Sequence, residues 1–268
     1  MTEKTVIIIP ARYASNRFEG KPLALLTGAT GAARSLIQRS WDTACEVPGV
    51  DNIFVATDDD RIAQVVRDFG GQVIMTSDTC RNGTERVAEA LQGLAAPADI
   101  VVNLQGDAPL TPPWFITGLI EEMKRDREVQ MATPVLQCDG HTLNMFIEDR
   151  RNGQVGGTTA VFDRNWDALY FSKEVLPFTD KLYAADAGTP VYHHVGAYAY
   201  RPKTLGQYVS WPEGALERLE GLEQLRFLDQ AVKVRCVLVE GKGRVFWELN
   251  NPVDVARIEG VLKQNGWP

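Results

Sequence analysis

Apolar positions in the first half of the chain follow two alternating rhythms. Residues 5–9 form an unbroken β-branched and apolar run that ends at Pro10, and residues 52–56, 72–75 and 99–104 repeat the pattern. Between these runs the period lengthens to that of a helix. Leu36, Ile37, Trp41 and Ala44 share one helical face. Ile62, Val65, Val66 and Phe69 share another, stopped by Gly70-Gly71, and Val87, Leu91 and Leu94 make a third stripe. Apolar strands alternating with amphipathic helices predict an α/β fold with a mostly parallel sheet covered on both faces. Such sheets bind ligands outside the carboxyl ends of their strands, so the residues just after each strand carry the functional interest.

The second half reads differently. Residues 155–162 and 168–171 flank a turn at 163–167, a hairpin pattern, and residues 191–201 read as a further strand. Leu216, Leu219, Leu222, Leu225 and Leu228 recur at three-residue spacing in a segment rich in Glu and Arg, which reads as one helix forming core or a dimer interface. Residues 234–239 and 244–248 return to strand, and 252–263 form a terminal helix. No repeat, low-complexity tract or Gly/Ser linker interrupts the chain. The expectation is a single domain over 1–268 with an inserted antiparallel lobe over approximately 130–230.

Composition narrows the classes. A hydrophobic share of 44% and a net charge of −7 describe an ordinary acidic globular chain, which disfavours broad nucleic-acid binding. No apolar run approaches the roughly 18 residues of a membrane helix, and no signal peptide is evident, so no membrane partner and a cytoplasmic location are expected. Cys45, Cys80, Cys138 and Cys236 match neither a zinc nor a redox spacing and read as reduced, packed thiols. With only three histidines, a multi-histidine metal site is disfavoured.

The densest chemistry follows the first strand, in Pro10-Ala11-Arg12-Tyr13-Ala14-Ser15-Asn16-Arg17-Phe18-Glu19-Gly20-Lys21-Pro22-Leu23. Arg12, Arg17 and Lys21 lie close together in a loop at the carboxyl end of a buried strand, where cations and backbone amides can neutralise phosphate. The loop is neither a Walker loop nor a dinucleotide fingerprint. On composition alone it reads equally as a solvated basic loop.

This loop resembles the nucleotide-binding loop of the 3-deoxy-manno-octulosonate (Kdo) cytidylyltransferases, the CMP-Kdo synthetases. The similarity continues in order through Val55-Ala56-Thr57-Asp58-Asp59-Asp60-Arg61-Ile62, Asn82-Gly83-Thr84-Glu85-Arg86 and Val102-Asn103-Leu104-Gln105-Gly106-Asp107. It resumes at Ala168-Leu169-Tyr170-Phe171-Ser172, in the stretch from His194 to Arg201, and at Leu222-Glu223-Gln224-Leu225-Arg226. It implies a nucleotide-diphospho-sugar transferase-like fold, a homodimer, and transfer of CMP from CTP to the anomeric hydroxyl of an acidic 3-deoxy-ulosonic sugar with release of pyrophosphate, feeding lipopolysaccharide or another glycan. It implies catalytic roles for Arg12, Lys21 and Asp107. The nucleotide would meet Ala11, Arg12, Arg17, Lys21, Asn82, Gly83, Thr84 and Gln105, and the sugar Lys173, His194, Tyr198, Glu223 and Gln224. Mg²⁺ would be held by Asp107 and, aligning on Pro252, by Asn250.

Each residue also has a plainer reading. Asp107 is a common turn residue after a strand. Asp58, Asp59 and Asp60 read better as a helix cap than as a metal cluster. Asn82 to Thr84 read as a helix start, His194 as core, and Glu223 and Gln224 as a solvated helix face. Several positions depart from the resembled pattern: Ala108 replaces Glu, Asn82 replaces Ser, and Lys173 replaces an Arg whose planar fork a lysine cannot copy. The family's terminal Gly-Val-Asp-Thr-Pro-Glu-Asp becomes Glu248-Leu249-Asn250-Asn251-Pro252-Val253-Asp254, with Glu248 the nearest substitute carboxylate for Asn250. Three alternatives stay open at this point: a cytidylyltransferase for amino-Kdo or a sialic-type nonulosonic acid, a catalytically weak nucleotide-binding regulatory relative, and a glycosyltransferase on a similar sheet.

Overall fold

The structure is a computed structural model and describes residues 3–15, 17–155, 157–244, 248–249 and 251–268. It divides into two compact units, Met1–Thr117 with Gly241–Pro268 and, inserted between these segments in the chain, Gly118–Glu240.

The first unit opens with β1 (Thr5–Ala11), buried at every position. A single 3-10 turn at Lys21–Leu23 and a short ribbon of β2 (Leu25–Thr27) and β3 (Ala33–Ser35) lead to α1 (Leu36–Cys45). Then follow β4 (Asn52–Thr57), α2 (Asp60–Asp68), β5 (Val73–Met75), α3 (Gly83–Gln92), β6 (Ile100–Leu104) and α4 (Pro113–Arg125), whose last residues belong to the second unit. β1 pairs in parallel with β4 on one side and β6 on the other, and β5 extends the sheet beyond β4. A strand with neighbours on both edges and helices over both faces must be apolar throughout, which is why residues 5–9 show no alternation. The run continues through Pro10, because only one edge of β1 remains paired there, with Ala56 of β4.

The second unit contains β7 (Met131–Asp139), α5 (Gly140–Arg151), β8 (Thr158–Phe162), β9 (Ala168–Ser172), β10 (Gly188–His194), β11 (Ala197–Tyr200), α6 (Pro202–Tyr208), α7 (Ala215–Glu220), α8 (Leu225–Asp229) and β12 (Val234–Val239). Its strands pair antiparallel except β12, which runs parallel to β7. The hairpin expected around 163–167 joins β8 to β9. The chain ends in α9 (Asp254–Gln264), whose Ile258, Val261 and Leu262 pack with Leu26, Leu36, Leu110 and Leu249 of the first unit.

Two expectations are corrected. The strand read over 191–201 is two strands, both antiparallel to β7. His194 opposes Val135 while Ala199 opposes Ala132, so the chain spends five residues where β7 spends three. The extra residues form a bulge at Val195-Gly196, which hydropathy alone does not register. The single leucine helix is two short helices broken at Gly221, which takes a left-handed φ of 61°. A three-residue step falls about 60° short of a full turn each time, so the leucines spiral around the axis instead of lining one face. Leu216 and Leu219 are accordingly exposed, whereas Leu225 is buried. The strand expected over 244–248 falls mostly outside the described residues.

Candidate active site

The cationic loop begins where β1 stops. Ala11 is buried and in register with Thr57 of β4. Arg12 is exposed and, among the described residues, has no hydrogen-bond or ion-pair partner. The loop then folds back on itself: the Gly20 N–H donates to the Tyr13 carbonyl at 2.9 Å, and the Leu23 N–H to the Gly20 carbonyl at 2.9 Å. From outside, the Arg61 guanidinium lies 3.3 Å from the Tyr13 ring centroid and is itself paired with Asp59. Arg17 is exposed. The 3-10 turn carries Lys21 to the carboxyl end of β6, where its ammonium donates to Asp107 Oδ2 at 2.6 Å.

Gln105 and Gly106 lie between β6 and Asp107. A Cβ on Gly83 would stand 2.9 Å from Gln105 Nε2, so the first turn of α3 lies directly against the Gln105 amide. Asn82 caps α3, its side-chain oxygen accepting from the Glu85 N–H at 2.9 Å, and Thr84 is wholly buried. The sequence therefore brings Gly83 to Gln105 and Lys21 to Asp107, in one unit and at the carboxyl ends of parallel strands.

The three aspartates 58–60 do not act as one group. Asp59 caps α2 by accepting from the Arg61 N–H at 2.9 Å, and the Arg61 side chain holds its carboxyl below the usual range. Asp58 accepts from Arg86 Nη2 at 3.0 Å, while Arg86 Nη1 reaches Thr76 Oγ1 at 2.6 Å. Arg86 thus ties the start of α3 to the ends of β4 and β5, a role the sequence reading gave no residue. The available signal was a charged residue set among the buried positions of an amphipathic helix.

Among the described residues no three His, Cys, Asp or Glu side chains gather as a metal cage. Asp107 nevertheless fits a magnesium ion of the kind that leans on its substrate. Lys21 engages one carboxylate oxygen, and Oδ1 has no protein partner among the described residues. One carboxylate with phosphate oxygens and water is an ordinary Mg²⁺ shell. The Leu249 N–H donates to the Asp107 carbonyl at 2.8 Å, which brings the terminal segment's backbone to this point. Asn250, the other expected ligand, lies outside the described residues.

The residues that the resemblance assigns to the sugar all belong to the second unit. Tyr198 is buried, and its hydroxyl donates to Gln224 Oε1 at 3.2 Å. Gln224 is also buried, and its Nε2 has no partner among the described residues. The His194 ring lies 5.7 Å from that of Tyr198, so these three side chains form one group. The Glu223 carbonyl accepts from the Tyr208 hydroxyl at 3.3 Å. Lys173 follows β9, with its backbone N–H donating to Glu220 Oε2 at 2.9 Å. Glu220 itself was not singled out by the sequence reading, because nothing in its spacing separates it from the surface glutamates around it.

His194 is 5% exposed, and its Nε2 lies 3.0 Å from Thr133 Oγ1. The Thr133 hydroxyl donates to the Ala197 carbonyl at 2.9 Å, so it accepts from a His194 Nε2–H, while burial keeps the ring neutral. Burial first, and His193 second, push its pKa down to about 3. Unfolding returns the ring to about 6.5, so the unfolded chain binds the extra proton between the two values. Stability supplied by neutral His194 is thus present above about pH 6.5 and is lost as pH falls toward 3. We expect denaturant unfolding at pH 4.5 and 7 to differ by on the order of 2 kcal/mol less in His194→Gln than in the parent. An equal pH dependence in the two proteins would refute the assignment.

A family model described as cytidylyltransferase matches residues 6–234. The 3-deoxy-manno-octulosonate cytidylyltransferase of Maricaulis maris is 46% identical over 259 residues, covering 97% of each chain. The enzyme of the same name from Chlamydia abortus is 38% identical over 260 residues, 97% of this chain and 94% of its own. Among solved structures, a CMP:2-keto-3-deoxy-manno-octonic acid synthetase in complex with CTP aligns with a TM-score of 0.82 and 32% identity, covering 98% of this chain and 99% of that one. A 4-diphosphocytidyl-2C-methyl-D-erythritol synthase from Anaerococcus prevotii shares the fold at a TM-score of 0.59 and 15% identity. The chain belongs to the cytidylyltransferase family and, within it, to the 3-deoxy-manno-octulosonate cytidylyltransferases.

Proposed function

We propose that this enzyme transfers CMP from CTP to the anomeric hydroxyl of Kdo, releasing pyrophosphate. The observation that carries the reading is the meeting of Lys21 with Asp107 at the carboxyl end of β6, beside a loop that leaves Arg12 exposed and unpaired among the described residues. The sugar's anomeric oxygen forms a bond to the α-phosphorus, the bond from that phosphorus to the α–β bridging oxygen breaks so that pyrophosphate leaves, and the hydroxyl proton passes to water. Such displacement needs in-line positioning and charge neutralisation more than a covalent intermediate. Arg12, Arg17 and Lys21 supply positive charge to the triphosphate. Ala11 and the Asn82-Gly83-Thr84 turn line the nucleoside side with Gln105, whose amide offers both a donor and an acceptor to cytosine. Asp107, with Asn250, would hold Mg²⁺, which neutralises charge on the phosphates when bound.

On the sugar side, the Lys173 ammonium opposes the acid's carboxylate, and His194, Tyr198, Glu223 and Gln224 face its hydroxyls. Gln224 Nε2, unpartnered among the described residues, is a buried donor for such an oxygen. Relatives named for Kdo at 46% and 38% identity do not favour amino-Kdo, a nonulosonic acid or a regulatory role. The purified protein should release pyrophosphate from CTP with Kdo, fail with UTP, ATP or GTP, prefer Kdo across a panel of 2-keto-3-deoxy acids, and lose activity in EDTA until Mg²⁺ is restored. No release under any of these conditions would refute the reading, and release that survives EDTA would refute the metal assignment.

No helix among the described residues is long and apolar enough to cross a membrane. A cytoplasmic setting, where CTP is at hand, and supply of activated sugar to lipopolysaccharide synthesis accompany the proposal. So does a homodimer carried by the second unit, whose Leu169, Leu182, Leu219 and Phe178 are 65%, 99%, 82% and 86% exposed. Sedimentation at micromolar concentration should give twice the chain mass of 29.7 kDa. A stable monomer would overturn this part.

A further inference from the structure

The turn that carries Glu223 and Gln224 is tied down on two sides. On one side Glu217 and Arg226 form a buried two-pronged pair at 2.7 and 2.6 Å, which spans the break between α7 and α8. On the other, the partly exposed carboxylate of Glu220, the last residue of α7, accepts three hydrogen bonds from the end of β9. Its donors are the Ser172 hydroxyl at 2.7 Å, the Lys173 N–H at 2.9 Å and the Tyr170 hydroxyl at 3.3 Å. Next to Glu220, Gly221 turns left-handed, and a Cβ there would come within 3.0 Å of Lys173 Nζ. The Lys173 side chain therefore runs along the turn that leads to Gln224.

We propose that Glu220 is a positioning residue for the acidic sugar, holding the Lys173 cation at a set distance from the Gln224 amide. The inference rests on the assignment of Lys173 and Gln224 to the sugar made above. A lysine ammonium is a point charge on a flexible stem and imposes no geometry on a carboxylate, unlike an arginine fork. The geometry must then come from what holds the lysine. Glu220 binds the Lys173 backbone directly and belongs to the same turn as Gln224, so one carboxylate links the two groups. Gln224 is oriented separately, through Tyr198, so that its Nε2 keeps its direction.

The test is Glu220→Gln, assayed for both substrates. The amide keeps the volume but removes the negative charge, so the hydrogen bonds from Tyr170, Ser172 and Lys173 lose their charge assistance. We expect KM for Kdo to rise roughly tenfold, the effect of losing about one charge-assisted hydrogen bond, with KM for CTP and the melting temperature nearly unchanged. Ser172→Ala removes a single donor and should shift KM for Kdo in the same direction by less; it keeps the test open if Glu220→Gln folds poorly. Because Glu220 acts through Lys173, adding Glu220→Gln to Lys173→Ala should raise KM for Kdo no further. An unchanged KM for Kdo, a parallel rise in both KM values with a fall in melting temperature, or additive effects in the double variant would each overturn the proposal. If Glu220→Gln is silent while Lys173→Ala and Gln224→Ala are impaired, only the positioning role falls. If Lys173→Ala and Gln224→Ala are themselves silent in an active enzyme, the sugar assignment falls and takes the proposal with it.

Discussion

Lys21→Ala is expected to lower kcat by about 10²-fold or more, while changing the free energy of unfolding by less than about 1 kcal/mol. The two magnitudes separate because the ion pair works in different surroundings in the two processes. In the free protein the side chains of Lys21 and Asp107 are 15% and 29% exposed, so water screens their attraction and its loss costs little stability. In the proposed reaction the same ammonium would face charge that moves from the α-phosphate toward the departing pyrophosphate. An electrostatic donor aimed at developing charge is worth far more than a surface pair, because it is already oriented when the charge appears. Lys21→Arg keeps the charge but not the compact ammonium and should recover only part of the rate. The measurement is kcat at saturating CTP and sugar, alongside a melting curve. A folded Lys21→Ala protein turning over at the parental rate would remove Lys21 from the site.

Glu217→Leu is expected to cost about 3–5 kcal/mol of stability and to lower the melting temperature by on the order of 10 °C. Arg226 is 1% exposed, and its guanidinium lies 4.1 Å from the Tyr208 ring centroid. With the carboxylate removed, a buried positive charge loses its two-pronged counter-ion. Burial raises the pKa of the Tyr208 phenol, so that group stays neutral and cannot replace the carboxylate. The double variant Glu217→Leu, Arg226→Met removes both charges and should be close to the parent, since replacing a buried pair by apolar groups is often neutral. If Glu217→Leu melted within about 2 °C of the parent, the pair would not be carrying the break between α7 and α8. Set beside Glu220→Gln, this variant separates a residue that keeps the turn folded from one that tunes what the turn presents.

Much of the first unit was legible because its signals are local. A strand paired on both edges and covered on both faces has to be a continuous apolar run, and residues 5–9 are one. Asp59 could be read as a cap because a carboxylate at that position satisfies the free N–H groups of the helix that follows. The cationic loop and Asp107 could be named from the ordered resemblance, and the strand order explains why residues so far apart in sequence meet: β1 and β6 are adjacent and parallel, so their carboxyl ends lie together.

What the sequence could not express is whatever depends on distance across the fold. The leucine spacing at 216–228 suggests one helix, yet Gly221 ends it, and the buried pair of Glu217 with Arg226 holds the two pieces together. The extra residues at Val195-Gly196 leave the hydropathy unchanged but divide one expected strand into two. His194 reads from sequence as either a ligand or core, and its neutral state comes from burial between β7 and β8, which the fold places on either side of it. Glu220 has no distinguishing neighbour along the chain. It becomes specific only because the end of β9 delivers three donors to one carboxylate. By itself the sequence determined the strands and helices around β1, β4, β5 and β6, the caps at Asp59 and Asn82 and the cationic character of the loop after β1, all of which depend on residues within a few positions of one another. The tertiary structure decided which charges are buried, which donors are left over and which side chain holds another in place, because burial and hydrogen-bond partnership are set by residues that the chain brings together only on folding.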